Sequence, residues 1–529
     1  MKQVHRKKKT AVKPNLVDKF VGYFSPVKAA RRFRARAFMA LAGGYIGGSK
    51  SRRGLKGWST LNNDANADIL PDLPTLRDRS RDLIRNNPLA TGAIKTKVTN
   101  VVGTGLRLQS RIDRAVLNMS DDQANEWEAK TEREWRLFWE SKNCDITRAQ
   151  NGTGLTRMVY RQSKENGDVF IVLPRKKQQH CPYDLRLQVI EADRICNEKY
   201  KPDTATLAGG VETDTSGAPI KYHILKHHPG RRLYKNGMEW DLVPAFGSNL
   251  GLRNVIHLFA PDRPGQSRGV PDLAPVIEPL KQLGRYTEAE LMAAVVSGMF
   301  TVFIESDSGD PTFDLSDTAD ETEAKSSDDD YKLGNGAIIG LAKGEKVHDS
   351  NPGRPNAAFD PFTQSILRQI GVALELPFEI LIKHFTASYS AARAALLEAW
   401  KYFISERQWL ADNFCRVVYE VWMYEAVILG RIAAPGFLSD PMMRKAYLGS
   451  DWVGPIKGQI DELKEIKAAK ERADMGVSTL SEITAEMTGG DWEKKHPQSV
   501  KEYNARKKAG LIVEKEKPLS VEIEKNEDN

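Results

Sequence analysis

From Ser390 to Leu429 the chain runs for about forty residues without a glycine or a proline. Ala392, Leu396, Trp400, Phe403, Leu410, Phe414, Val417, Val421 and Tyr424 mark an apolar stripe along it at helical spacing. At about 1.5 Å of rise per residue, the run predicts one helix of roughly 60 Å if straight, or a kinked pair. That is longer than a compact domain needs, so the run points to an extended or oligomeric body.

The rest of the sequence reads as α+β. Leu76, Leu83, Ile84, Ala90, Ile94 and Val98 recur at helical spacing, interrupted at Asn86-Asn87-Pro88, where the proline can open a second helix. Val101-Val102-Gly103-Thr104-Gly105 ends that run and leads into a strand at Leu106 and Leu108. Ser120 starts the Trp-rich helix Ala124–Trp139. Strands are predicted at Phe170–Leu173, Leu185–Ile190, Tyr222–Leu225 and Val255–Phe259. A loop at Asp262–Gly269 precedes a helix from about Pro279 to Met299, then a strand at Thr301–Glu305. An acidic Ser306–Asp330 segment and a strand pair at Ala337–Leu341 and Lys346–His348 come next. Asp360-Pro361 predicts a helix start, with the carboxylate as cap, running to about Leu374 and stopped at Leu376-Pro377. Beyond the long run, helices are predicted at Gly458–Met475 and Thr479–Met487, the second with a capping box at Thr479 and Glu482. The highly charged stretch from Lys494 to Asn529 is expected to fray.

Charge is distributed unevenly. The 529 residues carry a formal charge of +8 and a mean hydropathy of −0.48, a soluble, folded composition. Met1–Thr60 holds about sixteen Lys and Arg against the single acid Asp18, so it carries about +15 and leaves about −7 for the rest. Its basic residues cluster at Arg6–Lys9 and at Arg31, Arg32, Arg34 and Arg36, before a run of glycines. A flexible arm is expected, with an amphipathic helix near Val27–Ala42. It reads either as a solvated tail or as an arm that touches nucleic acid or an acidic partner. Four cysteines suit a reducing compartment. No stretch reaches the ~20 apolar residues of a membrane span, and no apolar signal core follows Met1–Lys9, so assembly in the cytoplasm is expected.

Catalytic signatures are weak. Gly265-Gln266-Ser267-Arg268-Gly269 matches a nucleophile-elbow pattern, but Pro261–Pro264 separate it from the preceding strand and Val270-Pro271 follow it. Gly103-Thr104-Gly105 lacks the third glycine of a dinucleotide fingerprint, and there is no phosphate-loop GK[ST]. His180, Cys181, Cys196, His223, His227 and His228 do not follow a common zinc spacing, and the cysteines read as small apolar core residues. The acidic run lacks the order of a calcium loop. No catalytic group, metal or cofactor is expected.

The order of these pieces resembles the lambda family of tailed-phage portal proteins. The residues that carry the likeness are Arg85-Asn86-Asn87-Pro88-Leu89-Ala90-Thr91-Gly92-Ala93, Val101 to Leu106, Gly265 to Val270 and Ala387 to Ala394. Trp452, Ile460-Asp461 and Gly476-Val477-Ser478-Thr479 extend it, so that it spans roughly Asn62 to Gly510. The resemblance implies a ring, usually of about twelve subunits, at one capsid vertex. DNA would pass through that ring during packaging and ejection.

It also implies a portal fold: a mixed α/β wing, a helical stem, a small β-containing clip and a helical crown. The expected division is a basic arm at 1–61, the first part of the wing at 62–262, and a loop with the first stem helix at 263–300. The clip follows at 301–359, the second stem helix and channel loop at 360–387, and the long helix with the rest of the wing at 388–450. The crown and charged tail take 451–529. Pro275 and Pro279 lie at the expected start of the first stem helix and put its beginning in question.

By the same resemblance, Lys383, His384, Phe385, Ser388 and Tyr389 fall where portals place a loop in the channel. Asp328, Asp329 and Asp330 fall in the clip, where terminase and head–tail connectors dock, while Arg31, Arg32, Arg34 and Arg36 mark the arm. The implied partners are further copies of the chain, double-stranded DNA without sequence preference, the terminase large subunit, head–tail adaptors, and the major capsid or scaffolding protein, with no membrane. The implied place is the virion's portal vertex, and not an enzyme's role. A mildly acidic body suits a channel that must not grip phosphates tightly. The alternatives are a nucleic-acid-processing enzyme of unrecognised fold, or another minor capsid or connector protein.

Overall fold

The computed structural model describes residues 15–41, 53–55, 57–231, 238–298, 302–305, 346–349, 358–385, 388–458 and 462–511. The chain divides into two units, Met1–Asn63 and Asp64–Asn529. In the first, helix α1 (Leu16–Phe24) starts at a capping box in which Asn15 and Asp18 exchange backbone hydrogen bonds of 2.8 and 3.0 Å. Helix α2 (Pro26–Leu41) matches the amphipathic helix expected near Val27–Ala42, and its Arg32 lies 3.2 Å from Asp18. The described part of the arm is thus helical over most of its length, where a flexible arm with one helix was expected. The sequence reading missed α1, whose capping box was its local signal.

The second unit opens with the short α3 (Ala65–Ile69). Next, α4 (Leu73–Asn86) and α5 (Pro88–Val101) divide at Asn87, whose side chain accepts from the amides of Leu89 and Ala90. Asn-Pro supplies both the cap and the helix-compatible φ, so this boundary is local chemistry. Strand β1 (Arg107–Ser110), α6 (Arg114–Leu117) and the Trp-rich α7 (Asp121–Trp139) follow, α7 opening on a capping box at Ser120 and Gln123. Helix α8 (Gly152–Asn166) was not foreseen, although Asn151 caps it through the Gly154 amide.

Strands β2 (Val169–Val172), β3 (Gln188–Ile190) and β8 (Val255–Leu258) form one antiparallel sheet in the order β3-β2-β8. A second contains β4 (Leu207–Ala208), β5 (Val211–Thr213), β6 (Pro219–Leu225) and β7 (Trp240–Pro244) in chain order. Of these four, the sequence indicated only β6. The others give little alternation to read: β4 and β5 are only two and three residues long, and β7 is largely exposed.

Pro275 sits in a 3₁₀ turn at Ala274–Val276, and Pro279 lies in the first turn of α9 (Ile277–Gly298), where its missing N–H costs nothing. Both prolines belong to the helix start and neither interrupts it. Strands β9 (Val302–Glu305) and β10 (Lys346–Asp349) pair antiparallel, Val302 opposite Asp349. The acidic segment between them and the strand expected at Ala337–Leu341 lie outside the described residues.

Helix α10 (Phe359–Ala373) begins two residues earlier than expected. Ala358 takes the cap position, and Asp360 lies inside the first turn, accepting from Gln364 at 2.7 Å, so Asp360 is not the cap. The short α11 (Phe378–Ile382) follows Pro377. The glycine-free run is then α12 (Tyr389–Leu410), a π-helical turn at Ala411–Cys415, and α13 (Arg416–Ile428), continuous end to end.

The apolar stripe is buried mostly in the second half of this rod. Leu396 is 36% exposed, whereas Phe403, Leu410, Phe414, Val421 and Tyr424 are buried. Phe414 meets Trp139 of α7 at 6.3 Å between ring centroids, and beside it Trp135 of α7 meets Trp422 at 5.1 Å and Tyr419 at 5.5 Å, stacked in turn on Trp139 at 4.8 Å. This aromatic cluster buries the large apolar area that stabilises the unit, at about 25 cal/mol per Å².

Helix α14 (Pro441–Tyr447) precedes β11 (Ser450–Val453), which pairs with β1 across more than 340 residues of sequence, Ser110 opposite Ser450. Last come α15 (Glu462–Asp474), α16 (Leu480–Thr488) and α17 (Trp492–Lys508). Thr479 and Glu482 form the expected capping box on α16. The stretch expected to fray from Lys494 is helical as far as Lys508. Asp491 caps it, and basic Arg506, Lys507 and Lys508 complement its C-terminal dipole. No described helix is long and apolar enough to cross a membrane.

Candidate functional site

The segment between α11 and α12 is short and fixed at both ends. Lys383 adopts φ +56°, a left-handed cap that ends α11, and the His384 amide donates to the Glu379 carbonyl at 3.1 Å. At the other end Ser388 accepts from the Ala391 amide at 3.4 Å and caps α12. Lys383, His384 and Phe385 are exposed, Phe385 by 52%. Three of the five channel-loop candidates therefore share one exposed turn. The Ser388 hydroxyl is occupied as a helix cap, and Tyr389 belongs to the first turn of α12, not to the loop. The arm candidates Arg31, Arg32, Arg34 and Arg36 lie on α2, Arg31, Arg32 and Arg34 exposed. Asp328, Asp329 and Asp330 lie outside the described residues.

Beside the turn is a groove of about 410 Å³ between α5, α11, the first half of α12 and the segment around Ile456. Ile380, Leu396, Leu397 and Trp400 line its floor. Among the described residues, Lys95, Lys383, Arg393 and Lys457 line it together with one acid, Glu465, which lies 3.9 Å from Arg393. Its lining thus combines apolar side chains with cationic ones.

Two buried charge networks join elements of the second unit, and the first ties α5 and α12, which line the groove, to α8 and the start of α9. In the first, Asp272, just before α9, accepts from Lys97 of α5 at 2.8 Å, and Lys164 of α8 lies 3.8 Å away. Lys164 also lies 2.6 Å from Glu406 of α12, to which the Tyr160 hydroxyl donates at 2.9 Å. Burial alone would lower the Lys164 pKa, but Asp272 and Glu406 outweigh it and hold the ammonium above its usual range. Four elements converge here, so the start of α9 is tied to the middle of the long rod.

In the second network, Arg268 donates to Asp168 at 2.6 and 3.2 Å and to the carbonyls of Ile195, Gly209 and Ala192 at 2.7–2.8 Å. Arg77 of α4 donates to the same carboxylate at 2.7 Å. Burial would raise the Asp168 pKa, yet the two guanidiniums hold it well below the carboxylate range. His257 stacks on Phe170 and Phe259 at 4.0 and 4.3 Å, with Nε2 3.3 Å from Asp168; burial lowers its pKa despite that neighbour.

This explains the Gly265–Gly269 motif without nucleophilic chemistry. A Cβ on Gly269 would lie 2.0 Å from the Gly167 carbonyl oxygen, so the second glycine permits close backbone approach. Ser267 exchanges hydrogen bonds of 3.0 and 2.8 Å with Asn66.

Sequence reasoning missed Arg77, Lys97, Lys164, Asp168 and Arg268. A signal was present for two of them: Arg77 follows Leu73 and Lys97 follows Ala93 at i+4 on buried helix stripes, where a charge needs a buried partner. Of the zinc decoys, Cys196 and Cys181 are half-buried where apolar core cysteines were expected, while Cys144 and Cys415 are buried. Glu191, Asp193 and His228 bring ligand atoms within 4.8 Å of one another, but the Arg81 guanidinium already contacts Asp193 and lies 3.5 Å from Glu191.

Residues 51–407 match the model of the family described as phage portal protein, lambda family. The chain is 27% identical over 489 residues to Portal protein B of Escherichia phage lambda, covering 88% of this chain and 91% of that one. It is 26% identical, with the same coverage, to the portal protein of Escherichia phage N15. Among solved structures, a chain of the neck of an empty GTA particle, computed with C6 symmetry, aligns over 82% of this chain and 98% of its own, at a TM-score of 0.42 and 14% identity.

Proposed function

The chain belongs to the lambda family of phage portal proteins, and from that premise we propose that copies of it close into a ring of about twelve that serves as the DNA conduit at one capsid vertex. The observation that carries this reading is the family match across residues 51–407, supported by the two portal relatives along most of the chain. In this reading α9 and α10 are stem helices, β9 and β10 belong to the clip, and the segment from Asp451 onward forms the crown. A terminase large subunit drives DNA through the ring, since the sequence carries no phosphate loop, and head–tail adaptors join the clip afterwards. Assembly occurs in the host cytoplasm with capsid or scaffolding protein, and the finished protein stands at the virion's portal vertex without enzymatic activity of its own.

The exposed turn at Lys383, His384 and Phe385 suits a channel surface. Its two basic groups touch phosphates through contacts that solvent screens within about 10 Å at 0.1 M salt. Each contact is weak, and repetition around the ring grips DNA without halting it. The mildly acidic body and the separate basic arm support the same division of labour. Asp328, Asp329 and Asp330 are proposed to dock terminase and adaptors. Replacing them by Ala is expected to spare ring assembly and weaken one of those dockings, and unchanged packaging and tail joining would remove them from the interface. Negative-stain imaging of the purified protein tests the main reading, with rings around a hole of DNA width expected. A monomer that cuts DNA with a divalent metal would overturn it.

A further inference from the structure

The connection between β2 and β3 is pinned at its base. There the Lys176 amide donates to the Asp184 carbonyl at 2.7 Å and the Arg186 amide to the Pro174 carbonyl at 2.9 Å. Glu425 of α13 accepts from the amides of Asp184 and Leu185, the second at 3.0 Å. Tyr183 packs against Phe138 and Trp422 at 5.9 and 5.5 Å between ring centroids, and its hydroxyl donates to Glu134 at 2.7 Å. The base of the loop is thus joined to the aromatic core, while Arg175, Lys176, Lys177, Gln179 and His180 are exposed.

Two further cations lie beside it. The Gln178 side-chain amide is 3.0 Å from Asn143 Oδ1, in the 3₁₀ turn Lys142–Cys144, and 3.2 Å from Arg148 Nε. Lys142 and Arg148 are both exposed. None of the five Lys and Arg side chains pairs with a carboxylate among the described residues. The acids of the same segments are Glu140, which is exposed, Asp184, which is half-buried, and Asp145, which is buried and accepts from Thr147, Ala149 and Gln150. From Glu140 to Lys199 no large apolar side chain is exposed. A protein partner is ordinarily held through an apolar or aromatic centre. A phosphate backbone needs only fixed positive charge and polar donors.

We propose that this loop, Arg175–His180 with Lys142 and Arg148 beside it, binds the phosphate backbone of duplex DNA, a contact additional to the turn at Lys383–Phe385. Because its base is fixed, little freedom is lost when a phosphate docks. Contacts to phosphates alone carry no base preference, so the surface takes any sequence. The proposal rests on the conduit reading, which brings duplex DNA to the protein.

The test titrates the full chain and its Arg175→Ala, Lys176→Ala, Lys177→Ala variant against a labelled random-sequence duplex, read by fluorescence anisotropy as salt rises from about 0.05 to 0.2 M. Each lost phosphate contact flattens the slope of log affinity against log salt by about 0.9, so the variant's slope is expected to be about 2.7 shallower. Over that fourfold rise in salt the parent then loses about fortyfold more affinity than the variant. Arg175→Lys with Lys176→Arg and Lys177→Arg is expected to keep the parent's slope, because charge is what the phosphates meet. Equal slopes in the parent and the alanine variant overturn the proposal. So does complete loss of duplex binding in Lys383→Ala with His384→Ala, which would leave the loop no part in it. Parent-like duplex binding by alanine-variant rings that no longer join capsid or scaffolding protein would assign the loop to an acidic protein partner, and would also overturn it. Negative-stain imaging separates the two readings: a parent without rings overturns the conduit, while the slopes still judge the loop.

Discussion

Replacing Arg268 by Lys keeps the charge and removes the fork. Arg268 is 2% exposed and serves five contacts: Asp168 at 2.6 and 3.2 Å, and the carbonyls of Ile195, Gly209 and Ala192 at 2.7–2.8 Å. A lysine ammonium has three donors on a shorter reach, so it leaves about two buried carbonyls unpaired, each costing about 1–3 kcal/mol. Loss of the guanidinium over Phe170, 5.1 Å from the ring centroid, adds about 0.5–1 kcal/mol. Arg77 remains on Asp168, so the carboxylate is not stranded and the total is about 2.5–7 kcal/mol. Set against a folding stability of about 5–15 kcal/mol, that is a large share. Urea unfolding followed by tryptophan emission reads the change, since Trp135, Trp139 and Trp422 lie in the core of the same unit. Ser267→Ala is the internal control, expected to cost under about 1 kcal/mol because it removes a single partly buried contact with Asn66. An Arg268→Lys protein within about 1 kcal/mol of the parent, or a costlier Ser267→Ala, would refute the keystone role of the fork.

Three further outcomes are expected. Lys383→Ala with His384→Ala is expected to leave oligomers intact and to alter DNA packaging or retention; normal packaging and retention of full-length DNA would reduce the turn to a connection. Deleting Met1–Lys56, which belong to the first unit, is expected to leave soluble oligomers by light scattering, and loss of rings would make the arm structural. Burial holds His257 below its usual value of 6.5, so below about pH 6.5 the unfolded chain binds a proton that the folded chain does not, and stability falls with pH. His257→Phe is expected to flatten that slope between about pH 7.5 and 5.5, measured by urea midpoints, whereas an unchanged slope would place the proton uptake elsewhere.

Much of this protein is set by short-range pattern. Asn87-Pro88, Ser120 with Gln123 and Thr479 with Glu482 fix helix starts because cap and amide lie within three residues of each other. The glycine-free run from Ser390 became one continuous rod because nothing in it breaks the ladder, and the order of motifs identified the family. The pairing of β1 with β11 and the packing of the rod on α7 depend on partners hundreds of residues away, and no glycine or proline in the sequence marks the π turn at Ala411–Cys415. The candidate site divides in the same way. The exposed turn at Lys383–Phe385 was legible as the gap between two helical signals. The groove beside it was not, because its walls come from four separated segments. The charged keystones were least legible of all. Arg268 and Asp168 are 100 residues apart and Lys97 and Asp272 are 175 apart, and a charge in sequence reads as surface until folding removes its water and supplies its counterion.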